Sequence, residues 1–223
     1  MTPTDSTTDD PARPPTFGVT ERHTVQDLLV WRRSVTRFAP DPVPEEILDT
    51  LLDLANLAPS VANSEPWRFV SVDTPHRREE VVDSFRRANS RALEGYSGER
   101  ARTYARLRLT GIQEAPHHYA VFCDLGTRQG HGLGQQTMPE TLQYSAAFAA
   151  YTFWLAARAH GVGVGWLSIL EPEKVTAVLD VPRTWKIVAY LCVGRPTGHD
   201  DTGELARAGW QDRTGAGRQV LRR

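Results

Sequence analysis

Between Trp154 and Leu170 the chain reads Trp-Leu-Ala-Ala-Arg-Ala-His-Gly-Val-Gly-Val-Gly-Trp-Leu-Ser-Ile-Leu, an apolar helix running out into alternating glycines and a short strand. The order matters. A dinucleotide fingerprint needs a strand, then glycines, then a helix whose N-terminus holds the pyrophosphate. Here the glycines follow the helix, which excludes that arrangement at this place. Gly161 is expected to cap the helix with positive φ. The other glycines let backbone or a flat ligand approach the strand closely. A ligand laid against the strand meets peptide N–H groups and the hydroxyl of Ser168.

A chain of 223 residues supports one substantial domain. Its 40% hydrophobic and 24% charged residues are ordinary for a globular protein. A formal net charge of -1 gives no global attraction to nucleic acid or to an anionic membrane. Lys174 and Lys186 are the only lysines. Codon bias toward GC-rich DNA accounts for that, although arginine also suits phosphate wherever it converges. Cys123 and Cys192 sit in apolar, strand-like runs and read as small buried hydrophobes. No spacing suits a metal. No apolar run reaches the ~18 residues of a membrane span, and the first residues lack the basic and apolar regions of a signal peptide. The expected location is cytoplasmic.

Residues 1–22, rich in Thr, Asp and Pro, are expected to form a disordered tail, residues 23–212 the domain, and residues 213–223 a flexible end. Helices are expected over Val25–Arg33, Glu45–Ala58, Arg77–Leu93, an arginine-rich stretch ending before Gly111, Glu140–His160 and Pro172–Leu179. Strands are expected over Trp67–Val72, Tyr119–Asp124, Val162–Ser168 and Ile187–Val193. Strands separated by helices indicate an α+β domain of three layers, with helices on both sides of a sheet. The alanines of Glu140–His160 permit close helix approach, inside the domain or across a dimer interface. Gly126–Pro139 reads as a loop, and Leu205 and Trp210 as anchors for the tail.

Four segments together resemble the flavin-dependent nitroreductase superfamily. They are Arg32-Arg33-Ser34-Val35-Thr36-Arg37-Phe38, Ala58-Pro59-Ser60-Val61-Ala62-Asn63-Ser64-Glu65-Pro66-Trp67-Arg68-Phe69, Glu114-Ala115-Pro116 and the glycine segment. Gly111-Ile112, Thr137-Met138-Pro139-Glu140, Gly165-Trp166-Leu167-Ser168 and Ala208-Gly209-Trp210 narrow the likeness to its BluB-like, dimethylbenzimidazole-synthase branch. The resemblance implies a mostly antiparallel central sheet and a homodimer with FMN at the subunit interface. It also implies O2 as co-substrate and a small-molecule substrate or a flavin reductase as partner. Arg32, Arg33, Ser34 and Thr36 would then face the phosphate, ribityl chain and ring edge. Pro59, Ser60 and Asn63 would reach the flavin from the partner subunit, and the peptide at Leu167–Ser168 would meet flavin N5. Tyr104 and Leu107 would belong to a lid that excludes water. In this light the glycines make room for the isoalloxazine ring. Trp67, His117 and His118 read as structural; His131, with Glu140 beyond it, is a lesser acid–base candidate.

The likeness breaks at the flavin. The branch carries an aspartate where this chain has Ser34 and a basic residue where it has Thr36. Gln135 and Gln136 stand where arginines are common. A serine hydroxyl is not a base near neutral pH unless another group activates it. Three activities follow. One is oxidative fragmentation of reduced FMN with Ser168 and Ser34 as the catalytic pair. Another is hydride transfer between NAD(P)H and a small organic acceptor, for which FMN carries the chemistry. The third is flavin binding without turnover.

Overall fold

The computed structural model describes residues 14–198 and 202–223. Within them, β1 (Trp67–Ser71), β2 (His117–Asp124), β3 (Gly163–Leu167) and β4 (Trp185–Gly194) form one sheet in the order β1-β2-β4-β3. Every neighbouring pair is antiparallel. Seven helices accompany it among the described residues: α1 (Val19–Trp31), α2 (Glu45–Ala55), α3 (Pro75–Glu94), α4 (Gly98–Arg106), α5 (Thr141–Ala159), α6 (Pro172–Leu179) and α7 (Glu204–Arg207).

Period-2 alternation sorts β2 between two cores. Tyr119 and Val121 point to one face, where Leu48 and Leu51 of α2 and Ala150, Phe153 and Ala157 of α5 cover them. Ala120 and Phe122 point to the other, against Val81 of α3 and Val175 and Leu179 of α6. A sheet sealed on both faces by helices is the expected three-layer α+β arrangement. The two cysteines are buried, and burial pushes their thiols up, Cys123 to about 11 and Cys192 to about 12. Neither is a thiolate at neutral pH. Among the described residues no helix is long and apolar enough to cross a membrane.

Three expectations change. The first helix begins at Val19 and stops at Trp31, so it reaches into the stretch assigned to the tail and releases Arg32 and Arg33 into extended backbone. Residues 1–13 lie outside the described residues. The arginine-rich helix stops at Arg106, leaving residues 107–111 non-helical. The glycines of β3 do not primarily open space for a ligand. A Cβ at Gly163 would lie 2.8 Å from Val35 Cγ2, and one at Gly165 would overlap the Val35 carbonyl oxygen. What they admit is the chain's own segment Ser34–Phe38. It crosses β3 through a parallel bridge between Ser34 and Val164, with the Val35 amide donating to Val164 O at 3.0 Å. β-branched Val35 and Thr36 suit that extended path.

Gly161 behaves as expected. At φ +69° it follows the His160 cap; the Val162 amide donates to Ala157 O at 2.8 Å and the Gly161 amide to Arg158 O at 3.1 Å. This double bond pattern satisfies the last carbonyls of α5 and turns the chain directly into β3.

Candidate flavin-site cleft

A cleft of about 820 Å³ opens where the crossing segment meets the end of β3. Arg32, Arg33, Ser34 and Thr36 line one wall, and Leu167 and Ser168 line another. Six expected site residues, separated by more than 130 positions, therefore share one cavity, which is within the ~300–1,000 Å³ range of small-molecule sites. A second, polar cavity of about 610 Å³ lies behind the segment and shares Arg33, Ser34 and Thr36 with the first.

The walls are chemically uneven. Trp154 from α5 and Trp166 from β3 form an aromatic floor, their ring centroids 5.9 Å apart. The Arg32 guanidinium lies 4.2 Å from the Trp154 ring centroid, while its Nε is buried without a hydrogen-bond partner. A buried cationic donor without a partner is costly unless a ligand acceptor meets it. Ser34 and Ser168 are both exposed. Arg108 and Arg213 add positive charge, and Glu204 and Asp212 are the carboxylates lining the cleft. Glu204 is held by Arg207 at 2.7 Å. A flat aromatic body, an anion-seeking arginine and free hydroxyls match a ligand with a ring, a polyol and a phosphate. The residues present fit FMN.

Ser34 and Ser168 do not form a contacting pair. The bridge sets Ser34 beside Val164, four residues before Ser168, so roughly 13 Å of strand separate their backbones.

The remaining expected residues lie elsewhere in the same chain. The 3-10 turn Val61–Asn63, next to Pro59 and Ser60, is tied to α5 by the Val61 amide donating to Ser145 Oγ at 3.0 Å. Ser145 and Trp154 are nine residues apart along α5, or about 14 Å. Leu107 lines an adjoining cavity of about 300 Å³ with Phe85 and Asn89, which shares Arg108 and Leu109 with the cleft. Tyr104 is buried and donates to Asn89 Oδ1 at 2.9 Å. His131, with φ +52°, is exposed and does not line the cleft. Among the described residues no group of three or more His, Cys, Asp or Glu side chains is arranged to hold a metal ion.

His118 and Trp67 are structural, as read. His118 Nδ1 lies 2.9 Å from the Tyr190 hydroxyl, its Nε2 lies 3.2 Å from Ala115 O, and burial lowers its pKa to about 4. Trp67 Nε1 donates to Asn56 Oδ1 at 2.8 Å. His117 Nε2 accepts the Val43 amide at 2.9 Å, and burial lowers its pKa too.

Sequence reasoning missed Trp154, Trp166, Arg108 and the late segment Thr202–Arg213 as cleft walls. The two tryptophans did carry a signal, because they flank the glycines. Arg108 carried none, standing among many arginines. Its Nε donates to Thr36 O at 2.9 Å, and it also pairs with Glu114, so it fixes the backbone of the crossing segment.

A 5,6-dimethylbenzimidazole synthase of Rhodospirillum rubrum is 53% identical over 199 residues, covering 89% of this chain and 94% of its own length. One from Rhodobacter capsulatus is 46% identical over 88% of this chain and 95% of its own. In fold the chain is similar to iodotyrosine deiodinase solved with FMN and 3-iodo-L-tyrosine, with a TM-score of 0.66, 24% identity and coverage of 79% and 91% of the two chains. The nitroreductase family profile matches residues 29–195, most of the domain and every wall of the cleft before the late segment. The chain belongs to the nitroreductase family.

Proposed function

We propose that the cleft binds FMN and that the protein converts reduced FMN, with O2, into 5,6-dimethylbenzimidazole. The observation that carries this reading is the convergence of Arg32–Thr36 with Leu167–Ser168 on one cleft, in a chain about half identical to synthases of that name. When bound, reduced FMN supplies both the electrons and the ring atoms of the product. The chain's own residues position and protect it. Arg32 Nε offers a desolvated donor, and the Trp154 ring 4.2 Å from its guanidinium holds that side chain against the cleft. Ser168, which follows β3 and lines the cleft, would offer its hydroxyl and peptide N–H to the ring edge. Ser34, held by its bridge to Val164, presents a hydroxyl further along the cleft.

We further propose a homodimer. The turn next to Pro59, Ser60 and Asn63 is anchored about 14 Å along α5 from the cleft of its own chain, so a second copy is what brings these residues to a flavin. α1 contributes no buried residue, and Leu29, Val30 and Trp31 on it remain exposed. Tyr144, Phe148 and Tyr151 on α5 are exposed at helical spacing. Apolar surface of this kind marks an interface.

One observation favours a second reading, an NAD(P)H-dependent reductase of small organic acceptors. Position 34 carries a hydroxyl where the resemblance expects a carboxylate, and of the cleft's own carboxylates Glu204 is engaged with Arg207. Positioning FMN for hydride transfer needs no base at that place. The readings separate when purified protein is given chemically reduced FMN and air, with products followed by mass spectrometry. The synthase reading expects the benzimidazole. Reoxidised FMN alone, together with rapid anaerobic flavin reduction by NAD(P)H, would establish the reductase instead. In that case S34D is expected to gain measurable benzimidazole formation while retaining FMN.

A further inference from the structure

The late segment Thr202–Arg213 forms the outer wall of the cleft, and its attachment is specific. α7 ends at Arg207 with Ala208 as its cap, and Gly209 follows with φ +70°. The Gly209 amide donates to Ala206 O at 2.9 Å and the Trp210 amide to Leu205 O at 2.8 Å. That closure reverses the chain within one turn, as a left-handed glycine allows. Leu205 and Ala206 stay on the cleft, as do Gln211, Asp212 and Arg213. Trp210 lines no part of the cleft and packs on the α3–α4 hairpin. Its ring centroid is 5.2 Å from Tyr96, edge to face, and 5.8 Å from Tyr104. The two tyrosines are 5.1 Å apart, and the Arg100 guanidinium lies 5.1 Å from the Trp210 ring centroid. Tyr104 in turn is tied to α3 through Asn89.

We propose that Trp210 is a positioning residue that fastens the outer wall to the α3–α4 hairpin, so that wall and hairpin open together and set how long a flavin-sized ligand stays in the cleft. The proposal rests on the reading that the cleft takes FMN. The wall's segment is mostly exposed and α7 has only four residues, so the ring contacts of Trp210 form its aromatic attachment to the hairpin. A clip of two aromatic pairs and a cation over a ring is of the size that alters a dissociation rate without unfolding a domain.

The test uses the full-length protein and two single variants, W210A and Y96A, with W210F as rescue. In the ligand-free protein, hydrogen exchange of peptides spanning 202–213 should quicken in both alanine variants and return toward wild type in W210F. Stopped-flow release of FMN, followed by its fluorescence, should quicken roughly tenfold in both. The double variant should be little worse than either single one, because both cut the same clip. Unchanged exchange in Y96A, or additive effects in the double variant, overturns the fastening. Faster exchange with an unchanged FMN release rate overturns the control of residence time. Wild-type protein that fails to bind FMN at all sinks the flavin reading instead, and the exchange data still decide the clip.

Discussion

His118 shows how a polar residue is made structural. Both ring nitrogens are occupied, one by the Tyr190 hydroxyl and one by Ala115 O. Burial, with the nearby Arg78 adding to it, brings its pKa down to about 4. The imidazole is thus neutral when folded and titrates near 6.5 when unfolded. The unfolded chain binds more protons between those values, so stability is full above about pH 6.5 and is lost as pH falls toward 4. The loss is on the order of 3 kcal/mol over that window, with His117 contributing in the same direction. Thermal unfolding from pH 7.5 to 5 should show a falling Tm, flattened in H118Q. An unflattened profile would place the acid sensitivity elsewhere. At this scale the sequence was legible for identity and illegible for separation. It named Ser34 and Ser168 as a pair, but the distance between them comes from a strand register that no residue type announces.

The element of consequence is β3 with the segment that crosses it. G165A puts a methyl against the Val35 carbonyl oxygen, which is backbone and cannot rotate away. The expected outcome is a loss of about 1–3 kcal/mol in urea unfolding, accompanied by weaker FMN binding, since Arg32–Thr36 would shift from the cleft. Retained FMN affinity in a destabilised G165A would show that the segment and the site are independent. The glycine spacing made the close approach readable in advance. It left open whether backbone or ligand made it, because both need the same absence of a side chain. Helix existence was legible from apolar periodicity. The end of α1 was not, because Arg32 and Arg33 are good helix formers and the break comes from the pull of β3 on Val35.

For the whole molecule, one copy leaves α1 and the outer face of α5 uncovered, with Phe148 50% and Val25 57% exposed. F148E should cost a single folded copy little, since the side chain already meets solvent, yet it should abolish a paired state. Size-exclusion chromatography with light scattering is expected to give a dimer for the wild type and a monomer with reduced FMN occupancy for F148E. A wild-type monomer with full FMN occupancy would remove the need for a second copy. The alanine-rich composition of α5 hinted at close packing but not at which face does it. In the fold, the alanines Ala146, Ala149, Ala150 and Ala157 are buried in the domain with Phe153, and Tyr144, Phe148 and Tyr151 face outward.

The segment that delivers Arg32–Thr36 also has a protective role. β3 is an outermost strand, hydrogen-bonded to β4 on one side only. On its other side the Ser34–Val164 bridge is made and the Val35 amide takes up the Val164 carbonyl at 3.0 Å. An uncovered strand margin is a template for pairing with other chains. Here the ligand-binding stretch is what occupies that margin, so any change that peels it away creates an adhesive strand as it empties the pocket. Aggregation and loss of cofactor would then be two faces of a single lesion.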